Sequence, residues 1–260
     1  ISPAAGARLG DLVAAAGALT LRRFGRTMQL YAPLYLSNAC VNTCLYCGFS
    51  RPNAIARRTL STAEQEREMA HVSAGGFRHL LLVSGEDPRD VGLDYLEGAV
   101  RAARRRFASV SIEVAPLEME GYRRMLAAGA DGVVAYQEVY DREAYEAVHT
   151  AGPKKDWADR LEVPERAAAA GMRRLGIGAL LGLASWRREA LALAAHALHL
   201  QRVAWRAALA VSFPRLRPAA GGFAPPHPVD DTALTQIIAA LRLLLPDAGL
   251  VLSTREPAAL

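Results

Sequence analysis

All three cysteines of this 260-residue chain, Cys40, Cys44 and Cys47, fall within eight residues, just after a short apolar run. Three thiols in one loop and none elsewhere make a poor disulfide framework. They suit metal held in a reducing compartment, so a cytoplasmic setting is expected. A tetrahedral zinc would want a fourth protein ligand, and the six histidines (His71, His79, His149, His196, His199, His227) show no finger spacing to the cysteines. A 4Fe-4S cluster normally takes four thiolates. With spacers of three and two residues, three thiolates can cap three irons of one cube from a tight loop, leaving the fourth iron open. An open iron on an electron-transfer cluster is a place for a chelating substrate or cofactor.

Such a loop needs a frame, and the rest of the chain supplies one. Apolar, β-branched runs at residues 34–37, 79–84, 109–114, 132–136, 175–181, 208–213 and 249–253 read as strands. Helix-period stretches lie between them at 62–74, 93–107, 118–128, 142–148, 163–171, 187–203 and 231–245. Ser61 or Thr62 before Glu64, Asp141 and Asp230-Asp231 are helix starts, and Gly129 and Gly171 fit helix ends. Near-continuous apolar strands, each followed by a helix, indicate a parallel sheet covered by helices. Seven strand–helix units with no long polar linker suit an α/β fold of the (β/α) TIM-barrel type, one strand short of eight. Residues 1–29 read as a helical preface and residues 30–260 as the barrel domain, C-terminally incomplete. Apolar residues at 52% and charged residues at 22% exclude wholesale disorder. The longest apolar runs, near residues 12–21 and 177–184, are shorter than a membrane span, so no membrane partner is expected. The formal charge of +5 is mostly scattered arginine. Arg104-Arg105-Arg106 reads as a solvated helix face, so no nucleic-acid partner is expected either.

Cys-x3-Cys-x2-Cys with an aromatic, Tyr46, before the last cysteine resembles the signature of the radical S-adenosylmethionine family. The resemblance implies a 4Fe-4S cluster on Cys40, Cys44 and Cys47. The methionyl amine and carboxylate of S-adenosylmethionine would chelate its open iron, and one electron would release a 5′-deoxyadenosyl radical. Ser84-Gly85-Glu86 is similar to the family's Gly-Gly-Glu turn, with Ser in place of the first Gly; Gly85 and Glu86 would then hold the methionyl amine. Glu138, in Tyr136-Gln137-Glu138, matches the carboxylate that takes the ribose hydroxyls. Arg160, 22 residues on, matches the partner of the methionyl carboxylate. Gly176-Ile177-Gly178 resembles the glycine-rich strand that lets the adenine approach. Tyr46 completes the expected cofactor set. Without the family, Gly-Glu is a plain turn, Arg160 a surface charge and Gly-x-Gly a close-packed strand.

Within that family the chain resembles the aromatic amino-acid lyases, and among them the tyrosine lyases of thiamine thiazole synthesis. The residues that carry this are 34–38, 47–50, 136–138, 212–218 and 253–256. The resemblance implies cleavage of the Cα–Cβ bond of L-tyrosine to 2-iminoacetate and p-cresol. It also implies thiazole synthase as a partner and a flavodoxin or ferredoxin as reductant. Arg255 matches the carboxylate-binding position, where a planar guanidinium fixes orientation. Tyr35 is expected to point into the barrel below the cluster, and Ser212 and Arg215 end the sixth strand as further catalytic candidates. For Arg215 and Arg217, loop-to-helix salt bridging weighs as much as a substrate role. A tryptophan lyase making 3-methylindole-2-carboxylate shares the frame and is the alternative substrate reading; a non-enzymatic metal-cluster sensor is the alternative of another class. The lyase that serves hydrogenase carries a second, C-terminal cysteine motif, and no cysteine follows Cys47 here. Since an open barrel exposes strand edges, the natural polypeptide is expected to continue beyond Leu260.

Overall fold

Seven parallel strands share one sheet, and their order follows the chain. They are β1 (Ala32–Ser37), β3 (His79–Ser84), β4 (Ser109–Glu113), β5 (Gly132–Glu138), β7 (Arg174–Ala179), β8 (Ala208–Ser212) and β9 (Gly249–Val251). The computed structural model describes residues 1–253 and Glu256; among these, β1 and β9 are the outer strands. Two short strands, β2 (Thr43–Cys44) and β6 (His149–Ala151), form a separate antiparallel ribbon. The helices are α1 (Leu9–Phe24), α2 (Thr62–Ala74), α3 (Leu93–Arg104), α4 (Met119–Ala128), α5 (Arg142–Val148), α6 (Trp157–Ala169), α7 (Trp186–Val203) and α8 (Asp231–Leu244).

The sheet's helix-facing side is apolar. Leu36, Leu82, Val110, Ile112, Ile177 and Val211 are fully buried there, each such burial stabilising by roughly 1.5–3 kcal/mol. Strand side chains alternate between faces. The intervening residues Tyr35, Ser111, Glu113, Tyr136 and Ser212 therefore look to the opposite, interior side. Caps fix where the helices begin. Ser61 and Glu64 form a reciprocal capping box at α2, and Asp141, Asp156 and Asp230 accept backbone N–H bonds at α5, α6 and α8. Gly129 ends α4 in the left-handed conformation, φ 113°.

Three expectations needed correction. First, α6 starts at Trp157, not near Val163, because the Asp156 cap outranks Pro164, which sits inside the helix and denies the Arg160 carbonyl its donor. Second, the β2–β6 ribbon is too short to carry any periodicity. Third, Pro3–Phe24 is long and apolar enough to cross a membrane by length and composition, with mean hydropathy 1.2. In the fold one side of it packs on α8, where Arg242 lies over the Phe24 ring at 4.5 Å and Gln236 Nε2 donates to Ser2 O at 3.1 Å.

Candidate active site

The cysteine loop leaves the C-terminal end of β1, the end at which β/α barrels assemble their sites. Cys44 is buried and pairs across the ribbon with His149; Cys40 and Cys47 are partly accessible. Tyr46 is buried in a small apolar cluster with Val139, Tyr145 and Val148. His149 Nδ1 lies 2.9 Å from Tyr145 O, a carbonyl that only accepts, so Nδ1 carries the proton. Nε2 therefore accepts from the Tyr46 hydroxyl at 2.8 Å. Burial holds His149 down to about 4, neutral as this pairing needs. Arg57 clamps the loop from outside, donating to Asn38 O, Phe49 O and Ser50 O at 2.7–2.8 Å.

The donor set fits an iron–sulfur cube. Among the described residues no three Cys, His, Asp or Glu side chains converge on one ion position, as a mononuclear zinc would require. In a cube each thiolate serves its own iron. Phe49 N–H points at Cys47 Sγ at 3.4 Å, the kind of hydrogen bond that tunes a cluster thiolate. Burial pushes the Cys44 thiol up to about 12, so the charge that makes it a ligand must come from the metal.

Beside the loop lie two buried ion pairs. Arg160 Nη1 donates to Glu86 Oε1 at 2.9 Å, and Lys154 Nζ to Glu138 Oε1 at 2.8 Å. Arg160 reaches inward from α6, held by an Nε bond to Tyr136 O at 2.9 Å, and its Nη2 makes no hydrogen bond to a described residue. Burial opposes its charge, but Glu86 and then Glu138 outweigh burial and hold its pKa up. Burial likewise opposes the Glu138 carboxylate, and Lys154 followed by Arg160 holds it below the usual range. Glu138 adopts φ 69°, rare for a residue with a side chain, at a break in the β5–β7 register. Such bulges re-aim side chains at sites. A cleft of about 200 Å³ opens between Val41, Glu86, Pro88, Lys154 and Arg160. Buried Ser84 Oγ and Gln137 Oε1 next to these carboxylates have no partner. A cleft lined by a carboxylate, an ammonium and a guanidinium with an unused nitrogen fits an amino-acid-bearing cofactor.

Gly85 is needed sterically, since a Cβ there would overlap the Ala39 carbonyl. Gly178, expected to let the adenine approach, is also needed sterically. A Cβ there would lie 2.8 Å from the Tyr136 ring and 2.9 Å from Ser212 O, so its room is taken by Tyr136. Tyr35 is on the interior face but 55% exposed, because β1 is an outer strand; it meets the Phe49 ring edge-on at 6.0 Å. Ser212 is buried within hydrogen-bonding reach of the Tyr136 hydroxyl. Arg215 is not presented to the interior cluster. Its guanidinium is committed to Glu256, Asp231 (2.7 Å) and Val229 O (3.1 Å). Arg217 also binds Glu256, at 2.6 Å. Arg255 lies outside the described residues.

Two central residues escaped the motif reading. Asn42 sits between Cys40 and Cys44; it donates to Glu86 Oε2 at 2.7 Å and accepts Lys154 N–H at 2.9 Å, so the loop and both ion pairs are one network. Lys154 had a signal in composition. Every basic residue of the chain is arginine except Lys154 and Lys155.

A TIM-type sheet with a three-cysteine loop after its first strand and paired carboxylates at the next strand ends defines a class, and the chain belongs to the radical SAM superfamily. That family's profile matches residues 34–193, and the Biotin and Thiamin Synthesis associated domain matches residues 212–260. Superfamily membership implies a 4Fe-4S cluster and S-adenosylmethionine. More narrowly, the chain is 46% identical over 257 residues to 2-iminoacetate synthase of Escherichia coli K12, covering 98% of itself and 68% of that protein. The 2-iminoacetate synthase of Salmonella typhimurium LT2 is 45% identical over the same spans. Two solved structures of HydG, a maturase of the FeFe-hydrogenase, superpose with TM-scores of 0.93 and 0.92 at 32% and 38% identity, the second from Carboxydothermus hydrogenoformans. The chain is covered to 96% in both and spans 57% and 59% of those chains.

Proposed function

We propose that this protein cleaves the Cα–Cβ bond of L-tyrosine, giving 2-iminoacetate and p-cresol for thiamine thiazole synthesis. The observation that carries the reading is the network joining the three-cysteine loop through Asn42 to Glu86, Arg160, Lys154 and Glu138, in a chain 46% identical to a 2-iminoacetate synthase. When bound, the cluster and S-adenosylmethionine supply an electron and a carbon-centred radical.

The chain's own residues bind and orient. Glu86, with the Gly85 turn behind it, takes the methionyl amine. Arg160 turns its unused Nη2 to the methionyl carboxylate. Glu138, aimed inward by the bulge, takes the ribose hydroxyls, and Lys154 keeps it ionised. Tyr46 acts from behind, fixing the loop on His149. Arg255 takes the tyrosine carboxylate through its planar fork, while Tyr35 and Ser212 line the interior side of the substrate space. Holding the amino acid so that nitrogen, and no carbon, faces the radical is the main selectivity device, and such positioning is worth many orders of magnitude in rate. Arg215 braces the loop after β8 instead of touching substrate. Thiazole synthase as the acceptor of the unstable imine, a flavodoxin or ferredoxin as reductant and a cytoplasmic setting complete the reading.

The test is anaerobic reconstitution with iron and sulfide, then dithionite, S-adenosylmethionine and either tyrosine or tryptophan. About four irons per chain and p-cresol from tyrosine are expected. Products from tryptophan alone would move the assignment to that substrate, and a tightly held zinc without iron would end the radical reading.

A further inference from the structure

Glu113 closes β4 at the same end of the sheet as Glu86 and Glu138. Val110 and Ile112 of its strand are fully buried beneath the helices, so alternation turns Glu113 to the interior. Register sets it beside Val83, just before the Ser84-Gly85-Glu86 turn. It is half-buried there, and it makes neither an ion pair nor a hydrogen bond with another described residue. Of the cations described near it, Arg160 is committed to Glu86 and Lys154 to Glu138. From β5, Glu138 repels it; Arg160 and Lys154 attract it without touching it. Burial, followed by the nearby Glu113 charge, holds the protons of the Tyr31 and Tyr136 phenols on. An unpaired carboxyl in such a place costs stability. It is intelligible where a cationic ligand completes it.

Within the proposed cofactor assignment, Glu86 and Glu138 are occupied, and the ligand cation left over that carries a transferable proton is the ammonium of the substrate amino acid, since the cofactor's sulfonium has none on sulfur. We propose, building on the tyrosine-lyase reading, that Glu113 is the proton acceptor for that ammonium. One carboxylate oxygen takes a proton from the –NH3+ group. The N–H electron pair stays on nitrogen, and the resulting –NH2 group is the one from which a hydrogen atom is removed. Charge balances as carboxylate and ammonium become carboxylic acid and amine, with no oxidant or reductant required. A neutral amine retains the lone pair that stabilises a nitrogen-centred radical; an ammonium does not. Burial, followed by the Glu138 charge, pushes Glu113 up to about 7, where a carboxylate competes for such a proton better than an ordinary one does.

The experiment compares reconstituted wild type, Glu113→Gln and Glu113→Asp by the pH dependence of kcat/KM for tyrosine cleavage, with S-adenosylmethionine affinity measured alongside. Wild type should show an acid limb near neutrality. Glu113→Gln should lose the limb and about 100-fold or more in coupled turnover, with cofactor affinity within twofold; Glu113→Asp should keep a limb at reduced rate. A second readout needs no turnover. A carboxyl whose folded pKa is raised favours the fold while protonated and disfavours it once pH rises through the raised value. The loss builds from the ordinary carboxylate value up to the raised one, so cluster-loaded Glu113→Gln should melt above wild type at pH 8 by a margin that narrows as pH falls to 5. An unchanged acid limb, a tenfold loss of cofactor affinity, or a Tm difference that ignores pH overturns the proposal while tyrosine cleavage by wild type stands. Wild type that makes no p-cresol overturns the tyrosine reading, and this proposal with it.

Discussion

Two groups of arginine and glutamate occupy opposite flanks of the sheet. Between β3 and α6, Arg160, Glu86 and Lys154 line a cleft, with Glu138 held by Lys154, and Arg160 Nη2 is left without a partner among the described residues. After β8, Arg215 and Arg217 converge on Glu256, and Asp231 and Val229 O take up the rest of the Arg215 fork, leaving only Arg217 Nε without a partner. The first group is the more buried, with side chains 7–13% exposed against 30% for Arg217 and 66% for Asp231, and Arg215 differs from Arg160 in spending all three guanidinium nitrogens on protein partners. An arginine whose whole fork is spent on protein acts as a brace, and one that keeps a nitrogen free beside a cleft is open to a ligand.

The sharpest way to break this contrast is Arg160→Ala. Removing one partner of a buried charge pair costs on the order of 2–5 kcal/mol. S-adenosylmethionine affinity should fall by that much, as read by anaerobic equilibrium dialysis, while iron content holds. Unchanged affinity would show that the unsaturated cluster is no site.

Lys154→Met comes next, with a loss of about 3 kcal/mol in urea melts at pH 8. Its pH dependence has a definite sign. Because Glu138 is held below the usual carboxylate range, its pairing stabilises above the ordinary carboxylate pKa and fades as pH falls through the depressed value. The variant's deficit should therefore shrink from pH 8 to pH 5, where the unpaired Glu138 can take a proton. Equal deficits at both would locate the damage in packing.

Arg215→Ala should cost about 1–2 kcal/mol, lowering Tm by several degrees, and leave cofactor affinity within twofold. A parallel fall in affinity would mean that the two clusters are coupled. The smallest effect is expected at Glu66, which Arg105 and Arg106 share on the solvated surface. Glu66→Gln should shift stability by no more than about 0.5 kcal/mol.

What could be read from the residues alone divides along physical lines. The strand at His79–Ser84 and the helices Thr62–Ala74 and Arg142–Val148 agree with expectation to the residue, because alternation, period and caps are all local signals. Glu86, Glu138 and Arg160 were found by resemblance; their meeting is a tertiary fact, since Arg160 comes from a helix whose start Pro164 disguised. Asn42 and Lys154 were passed over because a side chain that links elements 112 residues apart leaves no periodic trace. Glu113 lay unremarked in an apolar strand, where only the sheet's facing reveals which side of alternation is a cavity. Gly178 rests on resemblance, and to it the structure adds that Tyr136 leaves no room for a side chain there.

The contact between Gly85 and the Ala39 carbonyl has a consequence for how the molecule opens. The turn after β3 and the cysteine loop lie backbone against backbone, with Val41 N–H donated to Glu86 O at 3.0 Å and Gly85 N–H to Ser37 O at 2.9 Å. Neither segment can lift away without breaking the other's bonds, so both belong to one cooperative unit of local unfolding. In native-state hydrogen exchange the amides of Val41 and Gly85 should be released together, at one common free energy, and a loop loosened by loss of any cysteine should carry the glutamate turn with it.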